Sequence, residues 1–402
     1  MITKIDDTVF SNLDTEEGGI DRDSLEGLFS EEPTKGAAPS TAAAPGKIPK
    51  LTMLDGRRKT NIEIMLQSSG LKLMSVADIT AAVRTMDTDV LDGDTVKRML
   101  GSLPDQDEQE KILAFAGEEE RLGKAESYFL KLCNVPDYKN KLRAMDFEHD
   151  FAGSVSTIEG WTASIVGASR ELYGSPRLPR LIALVLKLAN ALHAPRCPAP
   201  SMVGFEIKSL LKLVDTRSFD QNTTLLHYLV ALIESRDTEL LMFMDDVPHL
   251  ASASALTFTQ VEAALAPLNN GLGVMASVLV KASALTDAVG EREFLSTRLP
   301  LLQAFHTKAA AKLAECAAEL VVARRTFLET AVYLGENPAK LKSDEPERFM
   351  KIVSNFAELF NKAKTERRMI NAAAAAGKLG SKQFPPWCGS RFCRGHSIYL
   401  RQ

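Results

Sequence analysis

The sequence predicts an all-α protein, an elongated rod built from many helices. Alanine and leucine are abundant and aromatic residues make up only 6% of the chain, a composition that favours helix over sheet. Apolar residues recur every three or four positions through most of its 402 residues. The longest such pattern runs from 300 to 334, where a helix that rises about 1.5 Å per residue would be roughly 50 Å long.

The first 50 residues are predicted to lie outside the helical body. Residues 1–31 are acidic and sparsely apolar, with a short stretch around Leu28 that has the spacing of a docking helix. Residues 32–50 contain proline, glycine, serine and alanine and have nothing to bury, which is typical of a flexible linker. A linker of this length would span about 25 Å root-mean-square.

The helical body is predicted to span 51–364 and to open with about three helices. Apolar residues between Asn61 and Leu66 have helical spacing. Ser75 to Asp78 fit a capping box that starts the next helix, and the acidic run 105–108 restarts a helix after a proline.

The middle of the body is predicted to contain buried helices with one interruption. An apolar stripe from Leu181 to Leu188 indicates a core helix. Thr259 to Glu262 fit a second capping box. Asn269 to Gly271 are expected to break or loosen the helix that follows.

The body is predicted to end in two long helices, followed by a tail over 365–402. The first has a heptad-like seam and ends at Pro338, and the second opens around Asp344 with an apolar stripe that begins at Phe349. Ala372 to Ala376 are expected to prolong it, whereas the later part of the tail is basic, has no helical period and is predicted to be disordered. The seam consists of Leu302, Phe305, Ala309, Leu313, Cys316, Leu320, Ala323, Phe327, Ala331 and Leu334.

The stretch from Gly204 to Leu229 combines a helix, a polar break and a second helix. An apolar stripe from Ile207 to Val214 forms one face of the first helix. Asp215 to Asn222 are polar and rich in side chains that prefer caps and turns. An apolar run restarts at Thr224.

This stretch closely resembles the signature of the formin homology 2 domain, the actin-assembling part of formins. The family pattern is G-F-x-hydrophobic-x-x-L-x-K-L-x-D-T-K-S-x-D-x-x-x-T-L-L-H, and the main departure is Arg217 in place of lysine. Tyr333 to Pro338 also match the family pattern Y-hydrophobic-G-E-[DN]-P. The resemblance covers roughly residues 5–365 and implies a rod composed of lasso, linker, knob, coiled coil and post.

The resemblance implies actin-binding residues in the knob and in the post. Residues 61–66 are similar to the knob helix, and Ile64 falls where the family has an isoleucine that contacts actin. An isoleucine in an apolar helix is more often a core residue, so this assignment depends on the resemblance. In the post, a cation at Arg217 would pair with actin carboxylates. The implied actin-binding residues are Asn61, Ile64, Lys212, Asp215 and Arg217.

The resemblance also implies a homodimer in which the lasso of each subunit inserts into the other. Phe10 occupies the position of the second of two tryptophan anchors. The receiving motif, G-N-x-M-N in the family, corresponds to residues 189–193, where Ala189 adds a methyl group at a site of close packing and His193 replaces the second asparagine. The implied dimer contacts are Phe10, Asn190, Leu192, Gly204 and Phe205.

The residue pattern predicts no catalytic site, cofactor or metal. The six histidines are dispersed, and His227 is interpreted as a helix-packing residue and not as an acid or base. The sequence has no glycine-rich phosphate loop. Cys388, Cys393 and His396 lack a fourth ligand for zinc.

Charge and cysteine usage limit which partners and which cellular compartment are expected. The net charge of −4 argues against nucleic acid as a partner. The five cysteines have no framework spacing, which is typical of a reducing compartment. No run approaches the roughly 18 apolar residues of a membrane span. We therefore expect a cytoplasmic location and no membrane span, and the resemblance to formins implies a cytoskeletal location.

The function implied by the resemblance is binding without catalysis. The chain would nucleate actin filaments and remain on the growing barbed end as an antiparallel, head-to-tail dimer. Two other functions are compatible with the sequence: a degenerate formin that binds filaments without nucleating them, and a helical coiled-coil scaffold unrelated to actin.

Overall fold

Helices supply the regular secondary structure of the described residues. A computed structural model of the chain describes residues 53–68, 70–115, 117–193, 202–218, 223–283, 294–337 and 346–375. Within them the only pairing of β type is the isolated bridge between Arg217 and Thr224. The chain divides into two units, Met1–Leu51 and Thr52–Gln402, and all described residues belong to the second. The all-α prediction is confirmed, whereas the predicted lasso and linker lie outside the described residues.

Thirteen α-helices and four short helical segments make up this part of the chain. The four segments are the 3-10 helices Glu119–Arg121, Ile207–Leu211 and Thr238–Asp246 and the π-helical turn Phe294–Arg298. The α-helices are α1 Gly56–Leu66, α2 Val76–Thr85, α3 Gly93–Gly101, α4 Gln106–Leu113, α5 Lys124–Cys133, α6 Tyr138–Gly174, α7 Leu178–His193, α8 Lys212–Asp215, α9 Leu225–Arg236, α10 Leu250–Ala253, α11 Phe258–Ser283, α12 Leu299–Tyr333 and α13 Pro346–Ala375.

The three longest central helices, α6, α11 and α12, pack against one another as a bundle. All predicted seam residues of α12 are buried except Phe305, which is half-buried and packs edge-to-face with Phe147 and Phe151 of α6 at centroid distances of 5.8 and 5.4 Å. The Thr330 hydroxyl donates a hydrogen bond to the Ser169 carbonyl of α6 at 2.9 Å. The heptad-like seam therefore packs within the chain.

The start and the middle of helix α11 both differ from what the sequence predicts. Its capping box joins Thr257 to Gln260, two residues before the predicted one, because the two residues exchange backbone–side-chain hydrogen bonds of 3.0 and 3.1 Å. The predicted break at Asn269 to Gly271 is wrong, since α11 continues through it to Ser283. At Gly271 an added Cβ would lie 2.4 Å from the Phe147 ring, so glycine permits the close approach of α11 to α6.

By length and composition, Phe258–Ala282 is the one stretch among the described helices that could cross a membrane. The sequence-based expectation overlooked it because polar residues such as Glu262 interrupt the apolar run. In the fold, this stretch is α11 and packs against α6 and α12 through residues including Val261 and Met275, both of them fully buried. It packs in the bundle through one buried face, while most of its residues are exposed or half-buried.

Helices α1 to α5 form a group before the bundle. Ser75 and Asp78 make the predicted capping box of α2, and Asp105 and Glu108 make another at α4. Arg58 of α1 binds Glu108 of α4 at 3.1 Å and thereby joins these two helices.

Helices α9, α10 and α13 form a second group with the segment Thr238–Asp246. Its core contains Phe243, Phe356 and Phe360, whose rings pack at centroid distances of 5.2 to 6.0 Å. Helix α13 continues to Ala375, past the predicted boundary at residue 364. The first residues assigned to the tail are therefore helical.

Candidate functional site

The position of Ile64 on α1 sets it apart from its apolar neighbours. Ile62, Met65 and Leu66 are buried, whereas Ile64 is 63% exposed. Residues that are three or four positions apart share one side of a helix, so 62, 65 and 66 face the core together. Asn61 lies three positions before Ile64 and is also exposed. The two predicted residues therefore share the solvent-facing side of α1, where Ile64 is an apolar residue on a polar face.

The predicted post residues lie on the segment that follows the 3-10 helix Ile207–Leu211. Ile207, Leu210 and Leu213 are buried and attach this segment to the core. Lys212 and Asp215, which lie three positions apart, are exposed, and so is Arg217. The expected helix over this region is present only as a 3-10 segment followed by the short α8.

Backbone contacts hold Arg217 at the surface; we call the described residues on the two sides of these contacts, 216–218 and 223–224, the Arg217 loop. The Leu225 amide donates to the Thr216 carbonyl at 2.7 Å, and the Ser218 amide donates to the Thr223 carbonyl at 2.8 Å. Arg217 and Thr224 form the isolated bridge between these two bonds. The described ends of the loop are therefore fixed to each other and to the start of α9.

The structure joins Asn190 to the segment that carries Gly204 and Phe205. The Asn190 side-chain amide donates to the Met202 carbonyl at 3.0 Å and its oxygen accepts from the Met202 amide at 2.8 Å. Gly204 is exposed, and Phe205 is half-buried against the core. Leu192 is half-buried at the end of α7. Four of the predicted dimer-contact residues therefore lie on these two connected segments, and the fifth, Phe10, lies outside the described residues.

Gly335 and Glu336 support the segment that carries Gly204 and Phe205. This role was not predicted from the sequence. Gly335 ends α12 with φ of 90° and forms a Schellman motif, in which its amide binds the Val332 carbonyl and the Glu336 amide binds the Ala331 carbonyl. Glu336 then accepts a hydrogen bond from the Ile207 amide at 3.2 Å. The Y-L-G-E-N-P match was visible in the sequence, but its contact across 129 positions was not.

Comparison with known proteins identifies the family. The sequence profile of the Formin Homology 2 Domain matches residues 2–361. The chain belongs to the formin homology 2 family. Similar proteins include formin-like protein 14 of Arabidopsis thaliana, 32% identical over 352 residues, and formin-like protein 3 of Oryza sativa subsp. japonica, 31% identical over 354 residues.

This formin homology 2 chain corresponds to a part of its relatives. Each of these two alignments covers 86% of the chain but 27% of the relative. Formin-like protein 17 of Arabidopsis thaliana is 28% identical over 339 residues, which cover 84% of the chain and 66% of that protein. Membership of this family supports the interpretation of the chain as an actin-assembly formin.

The structure shows packing contacts beyond the residues matched to the formin homology 2 domain. Helix α13 passes residue 361, and three of its later side chains bind α9 or the segment Thr238–Asp246. Lys364 donates to the Leu241 carbonyl at 3.0 Å, Arg367 binds Glu234 at 2.9 Å, and Glu366 lies 2.8 Å from His227 Nε2. Sequence reasoning missed these residues because the family pattern ends before them.

Two titratable side chains of the domain, those of His227 and Cys133, have a structural environment that explains them. His227 was interpreted as a packing residue, and the structure places it between α9 and α13 with hydrogen bonds to Thr224 and Glu366. Burial raises the pKa of the Cys133 thiol, which therefore remains protonated at neutral pH. Among the described residues no group of three or more histidines, cysteines or carboxylates could hold a metal ion.

Proposed function

We propose that this chain binds actin, nucleates filaments and stays on the growing barbed end as a head-to-tail dimer. The single observation that carries the proposal is the exposure of Ile64 and Arg217 at the surface of a formin homology 2 domain. This function requires binding and no catalysis. It also implies a cytoskeletal location for the chain.

The first contact is a helix inserted into a groove. Actin has a hydrophobic groove between two lobes at its barbed end, and α1 offers Ile64 on an otherwise polar face. An apolar side chain that is exposed in the free protein gains the hydrophobic contribution only when a partner covers it. Asn61, on the same face, would contact the rim of the groove.

The second contact is electrostatic. Actin presents an acidic surface, and Arg217 is exposed on a stretch of backbone that is fixed on both sides by hydrogen bonds. Arginine keeps the positive charge of the usual lysine and adds a planar group that can bind a carboxylate through two hydrogen bonds. Lys212 would add a second cation, with Asp215 between them in the sequence.

A dimer would combine two copies of each contact. Each contact alone is worth only a few kcal/mol, about what one anchor residue contributes in a protein interface. Four contacts on two linked subunits give avidity, so that one subunit can step while the other stays bound. The segments around Asn190 and Gly204 are the proposed binding site for the partner subunit's lasso.

A pyrene-actin assay tests the proposal. At micromolar concentration the chain is expected to shorten the lag of spontaneous assembly and to change the elongation rate of preformed seeds. No effect on either rate would contradict the proposal. Seeded elongation that changes without any nucleation would favour the degenerate formin, for which the departures Ala189 and His193 provide the reason.

A further inference from the structure

The end of α13 contacts the loop that carries Arg217 through one chain of hydrogen bonds. Glu366 lies beyond the matched residues 2–361, and its Oε2 is 2.8 Å from His227 Nε2. On the other side of the imidazole ring, Nδ1 lies 2.7 Å from the hydroxyl of Thr224. Because a carboxylate only accepts hydrogen bonds, the Nε2–H group donates to Glu366.

Thr224 belongs both to the Arg217 loop and to α9. It is the N-cap residue of α9, since its hydroxyl accepts from the His227 amide at 3.3 Å. Its backbone forms the bridge with Arg217, and the next amide, that of Leu225, binds the Thr216 carbonyl. A shift of Thr224 would therefore move the strand of backbone from which the Arg217 side chain extends.

We propose that Glu366 and His227 are positioning residues that brace the Arg217 loop and thereby set its affinity for actin. The part of this proposal that concerns affinity for actin rests on the proposed function. The brace is formed by Glu366, His227 and Thr224, and it gives the residues beyond the family match a specific role. Neither residue of the pair is assigned a contact with actin.

The adjacent residue, Arg367, offers a matched comparison. It binds Glu234 of α9 at 2.9 Å, so it also joins α13 to α9. Both pairs are partly buried, with side-chain exposures of 22% and 43% for His227 and Glu366 and of 25% and 22% for Glu234 and Arg367. Glu234 lies seven positions after His227, about 10 Å further along α9 and away from the loop. Loss of either pair would loosen the helices, but only loss of the first would free the loop.

Three variants separate positioning from a general structural role. Glu366→Ala removes the acceptor of the brace, Glu366→Gln keeps an amide oxygen that accepts from Nε2–H, and Arg367→Ala removes the comparison pair. Each variant is assayed in the full chain for affinity at barbed ends, through the concentration dependence of seeded elongation. Hydrogen exchange is measured in parallel at the amides of Ser218, Thr223 and Leu225.

The brace predicts a contrast between the variants. Glu366→Ala should weaken barbed-end binding by about three- to tenfold, the effect of one hydrogen-bonded contact, and should speed exchange in the loop. Glu366→Gln should restore most of both properties, and Arg367→Ala should leave both unchanged while it lowers the melting temperature.

Two results would overturn the inference, and they are distinguishable. Equal effects of Glu366→Ala and Arg367→Ala on loop exchange would refute the brace and leave the proposed function intact. A wild-type chain that does not bind barbed ends would refute the proposed function together with the actin half of the inference.

Discussion

Replacement of Ile64 with alanine should weaken barbed-end binding without destabilising the chain. Complete burial of an isoleucine side chain contributes about 1.5–3 kcal/mol. Since Ile64 is 63% exposed in the free chain, a partner that covers it would gain roughly 1–2 kcal/mol. Loss of this contribution corresponds to about a 5- to 30-fold rise in the dissociation constant of one site.

The assay is seeded elongation over a range of chain concentrations, with thermal unfolding followed by circular dichroism. Ile64→Ala should shift the concentration dependence and leave the melting temperature close to that of the wild type. Ile62→Ala, two residues away on the buried side of α1, should instead lower the melting temperature and should not remove a contact with actin. Its side chain is fully buried, and a truncation of this kind costs about 2–5 kcal/mol of stability.

Val321→Ala provides the matched control for loss of an exposed apolar side chain. Val321 is 66% exposed and lies on α12, away from α1 in the sequence and in a different helix group. It should change neither the affinity nor the stability. Barbed-end binding by Ile64→Ala as tight as that of the wild type, or an equal loss of binding in Val321→Ala, would refute a specific role for Ile64.

Three further substitutions, two of them paired with a control variant, test the post, the dimer segment and the bundle. Arg217→Asp should weaken barbed-end binding about tenfold or more and Arg217→Lys should restore it, as measured by seeded elongation. Asn190→Ala removes two hydrogen bonds, each worth about 0.5–1.5 kcal/mol, and should lower the melting temperature and weaken the dimer in sedimentation equilibrium. Gly271→Ala should cost about 1–3 kcal/mol in denaturant unfolding because its Cβ would meet Phe147, whereas Gly273→Ala, with open space around it, should not destabilise.

Regular periodicity made much of the fold predictable. The seam of α12 and the capping box at Ser75 depend on residues three or four positions apart, and both were visible in the sequence. The predicted break at Gly271 failed because local propensity disfavours glycine in a helix, whereas the close contact with Phe147 depends on a residue over a hundred positions away. Tertiary packing therefore outweighs local propensity at position 271, and the helix continues through it.

The residues of the candidate site were proposed from the sequence, whereas the contacts that support them were not. The resemblance indicated Ile64 and Arg217, and the structure shows both exposed. The hydrogen bonds that hold the surrounding segments join residues such as Glu336 and Glu366 to positions more than 120 residues earlier. A spacing pattern in one sequence carries no information on such contacts, so the brace at His227 emerged only from the folded chain.

Single-filament fluorescence microscopy with a labelled chain tests the central claim most directly. We expect a fluorescent spot that moves with the growing barbed end through many subunit additions and that bleaches in two steps, since two subunits hold the end. Filaments that grow with no spot at their tips, or spots that bleach in one step, would contradict it.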